Sequence, residues 1–175
     1  NTTLANLFLI YIKRFGTQYV TGFLKKLVTY IDNSPELNIE KMDNINIKAA
    51  EKVFFTSIKY ILDSSSLFND KIRHFVSYFR HYCSVRFNKV FFTYNNIAEF
   101  IGIKFICGVL ENPAKYIPGI KLKRPDNVRG ICRLLRIAFR LGTMCGDFNK
   151  LSSWNHRLIK RVYPKLVRFM FSVAD

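Results

Sequence analysis

The stretch FIGIKFICGVLENPAKY, Phe100–Tyr116, decides the fold. From Phe100 to Leu110 the only charge is Lys104, and Glu111-Asn112-Pro113 then shuts the run off. Proline lacks an N–H and clashes with the preceding turn, so a helix stops there. A helix apolar on every side is a buried one. Lys104 therefore either snorkels out of a core helix along its methylene stem, or it holds a site together.

Outward from this stretch, apolar residues recur at three and four positions, which gives an all-α reading. Thr2 or Thr3 caps a first helix that runs to about Arg14, and Gly16 marks a break. Thr17 caps a second helix carrying Val20, Phe23, Leu24, Leu27, Val28 and Ile31. Asn33–Asn46 is polar, contains Pro35 and reads as a connecting loop. A third helix spans about Ile47–Leu62, with Val53, Phe54, Ile58, Ile61 and Leu62 along one side. Asp63–Ser66 breaks it, and Asn69 or Asp70 caps a fourth helix to about Phe87.

Lys89–Tyr94 (KVFFTY) is β-prone in composition and reads as a turn into a helix over Asn96–Leu110. Asn112–Asn127 holds Pro113, Pro118, Gly119 and Pro125 and reads as mostly loop. A long helix follows over about Asp126–Cys145, and a last one starts near Trp154 and bends or restarts at Pro164. With no repeats or low-complexity tracts, residues 1–175 are expected to form one helical domain. The chain opens on Asn1 with no initiator methionine, which reads as a piece of a longer protein.

Charge divides the chain. Residues 1–63 carry 8 Lys/Arg and 6 Asp/Glu, net +2, whereas residues 64–175 carry 20 and 6, net +14. Such a one-sided field steers acidic partners: nucleic acid, an anionic membrane or an acidic protein surface. In the long helix Arg129, Arg133, Arg136 and Arg140 fall within a ~60° stripe at about 100° per residue. The stripe is a solvated basic face or a docking ridge for an acidic partner. No apolar run reaches the ~18 residues that span a bilayer, so a soluble, cytoplasmic chain is expected. Cys83, Cys107, Cys132 and Cys145 sit in apolar segments without C-x-x-C spacing, which reads as buried free thiols in a reducing cytosol.

The chemistry of a self-contained enzyme is missing. His74, His81 and His156 lack an H-E-x-x-H pattern or a carboxylate at ligand spacing, so no metal site is expected. There is no phosphate-cradling glycine loop and no G-x-S-x-G elbow, and no pair of carboxylates stands out for acid–base work. No cofactor is implied. The sequence points to a binding or regulatory domain.

The pattern F-x-x-x-Lys104-F-I-C-x-V-L-x-Asn112-Pro113 resembles the signature of Ras GTPase-activating domains. Other pieces follow in the matching order. Thr2-Thr3-Leu4-Ala5 is similar to the start of that family's first catalytic-domain helix, and Thr17-Gln18-Tyr19-Val20 to the start of its second. Ile72-Arg73 opens a helix ending in Phe87, as the family's Leu-Arg helix does, and Arg129 stands near the start of the long helix.

The resemblance implies an all-helical body that holds the GTP-bound form of a Ras-like GTPase in a groove. It implies an arginine finger, in a Phe-Arg pair, that would fall just upstream of Asn1, so no catalytic residue lies within the chain. Lys104 stands where the family keeps an arginine that steadies the finger loop through backbone carbonyls. The groove would be lined by Thr3, Leu4, Phe105, Gly108, Asn112, Pro113, Arg133, Arg136, Phe139, Arg140 and Thr143.

Gly108 replaces a family proline, Phe139-Arg140 a Gln-Asn pair, and Leu141-Gly142-Thr143 a Leu-Ala-Asn step. Two roles follow: stimulation of GTP hydrolysis, or binding without stimulation, with recruitment to the inner face of a membrane compatible with either. The alternative from charge alone is a basic helical scaffold on an anionic membrane or nucleic acid. Nucleic acid is disfavoured by the core-like spacing of the phenylalanines and the lack of a recognition motif.

Overall fold

The computed structural model describes residues 2–37, 39, 44–87, 90–140 and 161–175. Every regular element among them is helical, as the apolar spacing requires. Helix α1 spans Thr2–Phe15 and buries Phe8 and Ile12, one turn apart. It stops at Gly16, where a Cβ would come within 2.6 Å of the Ile12 carbonyl oxygen and 3.1 Å of the Phe105 ring. Only glycine lets the chain turn this tightly against the last carbonyls of α1.

Helix α2 follows at once. It runs through Thr17–Tyr19, widens to π-helical bonding over Val20–Leu24, and returns to α over Lys25–Asp32. Thr17 is not its cap, contrary to expectation: its hydroxyl donates backwards to the Lys13 carbonyl at 3.2 Å. With α1 ending only two residues earlier, that carbonyl is the nearer partner.

Helix α3, Asn44–Leu62, starts ahead of the expected Ile47 and buries Val53, Phe54, Ile58 and Ile61. After a 3₁₀ turn at Ser65–Leu67, helix α4 spans Asp70–Phe87. Asn69 caps it, its Oδ1 accepting the Lys71 N–H at 2.9 Å. Ile72, Val76 and Cys83 face inward, while Tyr78, Tyr82 and Val85 face out.

Helix α5 takes in Val90–Ile97, a π-helical stretch over Ala98–Cys107, and Gly108–Glu111. The expected turn at Lys89–Tyr94 is thus helix from Val90 on. Thr93, Tyr94 and Ile97 are buried, and the Tyr94 hydroxyl donates to the Phe139 carbonyl at 3.3 Å. Packing here overrides local β preference. Asn112 leaves the helical region, and Pro113–Tyr116 (α6) makes one turn inside the expected loop.

Helix α7, Pro125–Phe139, closes sooner than the expected Cys145: the Arg140 N–H turns onto the Arg136 and Ile137 carbonyls. Residues 141–145 lie outside the described residues, as does the expected helix start at Trp154. Helix α8, Tyr163–Ala174, carries Pro164 in its first turn, which fits the restart read there.

An aromatic core ties these helices together. Tyr19 stacks on Phe68 at 4.1 Å between ring centroids and tilts against Phe105 at 5.5 Å. The Tyr19 hydroxyl meets Ser64 Oγ at 2.7 Å, so its polar end is satisfied inside. No helix among the described residues is long and apolar enough to cross a membrane.

Candidate functional site

Helices α5 and α7 approach more closely than ordinary side chains permit. A Cβ on Gly102 would fall 2.5 Å from the Phe139 ring, so the ring lies directly on the α5 backbone. This contact fixes the two helices beside each other and sets their outer faces edge to edge. On α7 that outer face is arginine. Asn127, Val128, Gly130, Ile131, Cys132, Leu134, Leu135, Ile137, Ala138 and Phe139 are buried, leaving Arg129, Arg133 and Arg140 exposed and Arg136 half-buried.

Two carboxylates from α5 organise these cations. Glu99 lies 3.7 Å from Lys104 and 3.6 Å from Arg140, so one carboxylate joins two cations and two helices. Glu111 takes a 2.6 Å hydrogen bond from Arg136. The Lys104 side chain is 44% exposed, so it leaves the core, yet it ends on a partner. Exposed pairs of this kind contribute only ~0–1 kcal/mol each. Their effect is to hold long side chains in one geometry.

Beneath the Arg136–Glu111 pair sits a thiol pair. Cys132 Sγ lies 3.4 Å from the Cys107 carbonyl oxygen, and both cysteines are buried and free, as is Cys83. Cys145 lies outside the described residues. A hydrogen bond with the Cys107 thiol draws the Cys132 thiol below its ordinary range; burial opposes the shift and the Arg136 guanidinium adds to it. Burial pushes Cys107 well above that range. Arg136 Nε is buried without a hydrogen-bond partner among the described residues. Such an orphan donor costs ~1–3 kcal/mol.

The sequence-derived set divides in three. Lys104, Asn112, Arg133 and Arg140 are exposed, with Arg136 and Gly108 half-buried. Phe105, Pro113 and Phe139 are buried, so they support the ridge from beneath and present nothing to a partner. Thr3 is exposed on α1, whereas the Leu4 side chain and all of Thr143 lie outside the described residues. Sequence reasoning passed over Glu99 and Glu111 as organisers of the ridge. Glu111 looked like a helix terminator, and Glu99 shows no i, i+3 or i, i+4 cation.

The ridge can hold an anionic surface. Nothing in it pairs a nucleophile with a base, and no group of three metal-ligating side chains occurs among the described residues. His74 and His81 are exposed on α4, and His156 lies outside the described residues. Comparison with protein-family models and with curated proteins finds no match to this chain.

Proposed function

We propose that this chain is a Ras-GAP-like regulator that docks a GTP-loaded Ras-type GTPase on the α5–α7 ridge. The observation that carries the reading is the ridge itself, where Lys104, Arg136 and Arg140 pair with Glu99 and Glu111 and Arg133 stands exposed on the same α7 stripe. Those four cations are among the positions the family resemblance singles out. The all-helical body supports the reading at a coarser level.

A finger arginine ahead of Asn1 would stimulate hydrolysis, an effect of ~10³–10⁵ in rate. Without one, the ridge would bind and not accelerate. Single-turnover GTP hydrolysis by Ras-, Rap- and Rho-type GTPases separates the two. It should be run with this chain and with one extended by Phe-Arg ahead of Asn1. Binding with acceleration only in the extended chain fits the activator; binding without acceleration in either fits the binding-only form. Failure of every GTP-loaded GTPase to bind would end the proposal.

A second reading draws on α4. Tyr78, 73% exposed, and Tyr82 stand beside His74, His81, Lys71 and Arg86 on the outer side of that helix. Exposed rings among cations are what a polyanion-binding scaffold uses. Binding to anionic vesicles or single-stranded nucleic acid that falls steeply with salt, without preference for a GTPase, would favour it.

A further inference from the structure

A separate concavity lies between α2 and α3, and it shares no residue with the ridge. Its volume is about 950 Å³, and none of its eleven lining residues is acidic. Lys25 and Lys26 line it from α2 and Lys52 from α3, all three exposed. Among the described residues, none of these lysines has a carboxylate within ion-pair distance. Ala49, Val53 and the Tyr30 ring give the groove an apolar floor. That ring is fixed edge-on against Tyr60, 5.4 Å between centroids.

Two more cations are pinned at its end. Buried Asp32 accepts the backbone N–H groups of Lys123 and Arg124 at 3.0 and 2.7 Å, which clamps the loop before α7 onto the end of α2. Lys123 Nζ consequently lies 3.4 Å from Asn33 Oδ1, and Arg124 Nη1 donates to the Ser34 carbonyl at 3.2 Å. Asn33 and Ser34 both line the groove. Asp32 itself lies beneath the surface with both oxygens engaged by those amides.

We propose that the α2–α3 groove binds a compact ligand carrying two or more phosphates, of the inositol polyphosphate or phosphoinositide headgroup class. Lysine ammonium groups act on phosphate as point charges and need no fixed planar geometry. Three of them around an apolar floor, with two more at one end, suit several phosphates spaced on a small ring. The size falls in the ~300–1,000 Å³ range of small-molecule clefts.

The test is titration calorimetry with inositol hexakisphosphate, alongside flotation with phosphatidylcholine vesicles with and without phosphatidylinositol bisphosphate. The parent chain is compared with Lys25→Ala/Lys26→Ala/Lys52→Ala and with the control Lys13→Ala/Lys59→Ala/Lys165→Ala, which loses the same charge elsewhere. The groove variant should lose affinity by about tenfold or more, with the control much closer to the parent. Flotation without soluble binding assigns the lipid headgroup; soluble binding without flotation assigns the free polyphosphate. Equal losses in the two variants, or no binding to either probe, would overturn the proposal. Unchanged thermal melting of both variants keeps the comparison clean.

Discussion

The Lys104 ammonium sits 3.7 Å from the carboxylate of Glu99, five residues earlier in the same helix. In an α-helix, residues five apart point roughly 140° away from each other. The π-helical bonding over Ala98–Cys107 closes i→i+5 rings and brings such residues onto one side. The winding of α5 thereby creates the pair, and Arg140 from α7 joins it at 3.6 Å.

Removing the cation and removing the anion should act oppositely on an acidic partner. Lys104→Ala is expected to weaken binding of a GTP-loaded GTPase by up to about tenfold, while stability moves by under ~1 kcal/mol. Glu99→Gln should strengthen it, because two cations lose their internal partner. Affinity measured beside thermal melting checks both. A large fall in melting temperature for Lys104→Ala with unchanged GTPase binding would make the lysine a snorkelling core residue only.

Gly102→Ala places a methyl group against the Phe139 ring, 2.5 Å away before any relaxation. Destabilisation of ~1–3 kcal/mol is expected from overpacking, read in denaturant melts. Phe139→Leu in the same chain should restore part of it, with a coupling of ~0.5–3 kcal/mol between the two sites. Strict additivity would mean that the helices do not meet there.

Tyr19 and Tyr94 are held protonated by burial above the ordinary tyrosine value of 10, with Ser64 drawing Tyr19 partly back and Tyr163 pushing Tyr94 further. Above that pH the unfolded chain releases protons that the folded one keeps. Stability therefore falls as pH rises past it, and is intact below. Phenolate absorbance from these two rings should appear only together with loss of helical circular dichroism. Substitution of both by Phe should move that transition to higher pH.

Asp32→Ala strips the acceptor from two backbone amides at 3.0 and 2.7 Å. A loss of ~1–3 kcal/mol is expected. Asp32→Asn, which keeps one acceptor oxygen, should lose less. Because the same contact places Lys123 and Arg124, Asp32→Ala should also weaken phosphate binding in the α2–α3 groove. Equal melting of the parent and both variants would remove the clamp from the account.

Helices α2, α3 and α4 were legible because their buried residues follow the α-helical period, and Asn69 announced its helix chemically. Val90–Ile97 was not: its β-branched and aromatic residues are helical through burial of Thr93, Tyr94 and Ile97, a tertiary effect. The arginine stripe of α7 was readable from spacing alone. The role of Glu99 was hidden, since π winding changes which residues share a face and leaves no mark in composition. Phe105 and Phe139 stood among the expected groove residues because a resemblance aligns positions, and positions do not tell which way a side chain points.

The decisive experiment measures binding of the chain to one panel of Ras-type GTPases, each loaded in turn with GDP and with a non-hydrolysable GTP analogue. The parent should bind at least one member in its GTP form over its GDP form, and Arg136→Ala/Arg140→Ala should lose that preference. Absence of nucleotide-dependent binding across the panel, or its persistence undiminished in the double variant, would contradict the role assigned to the ridge.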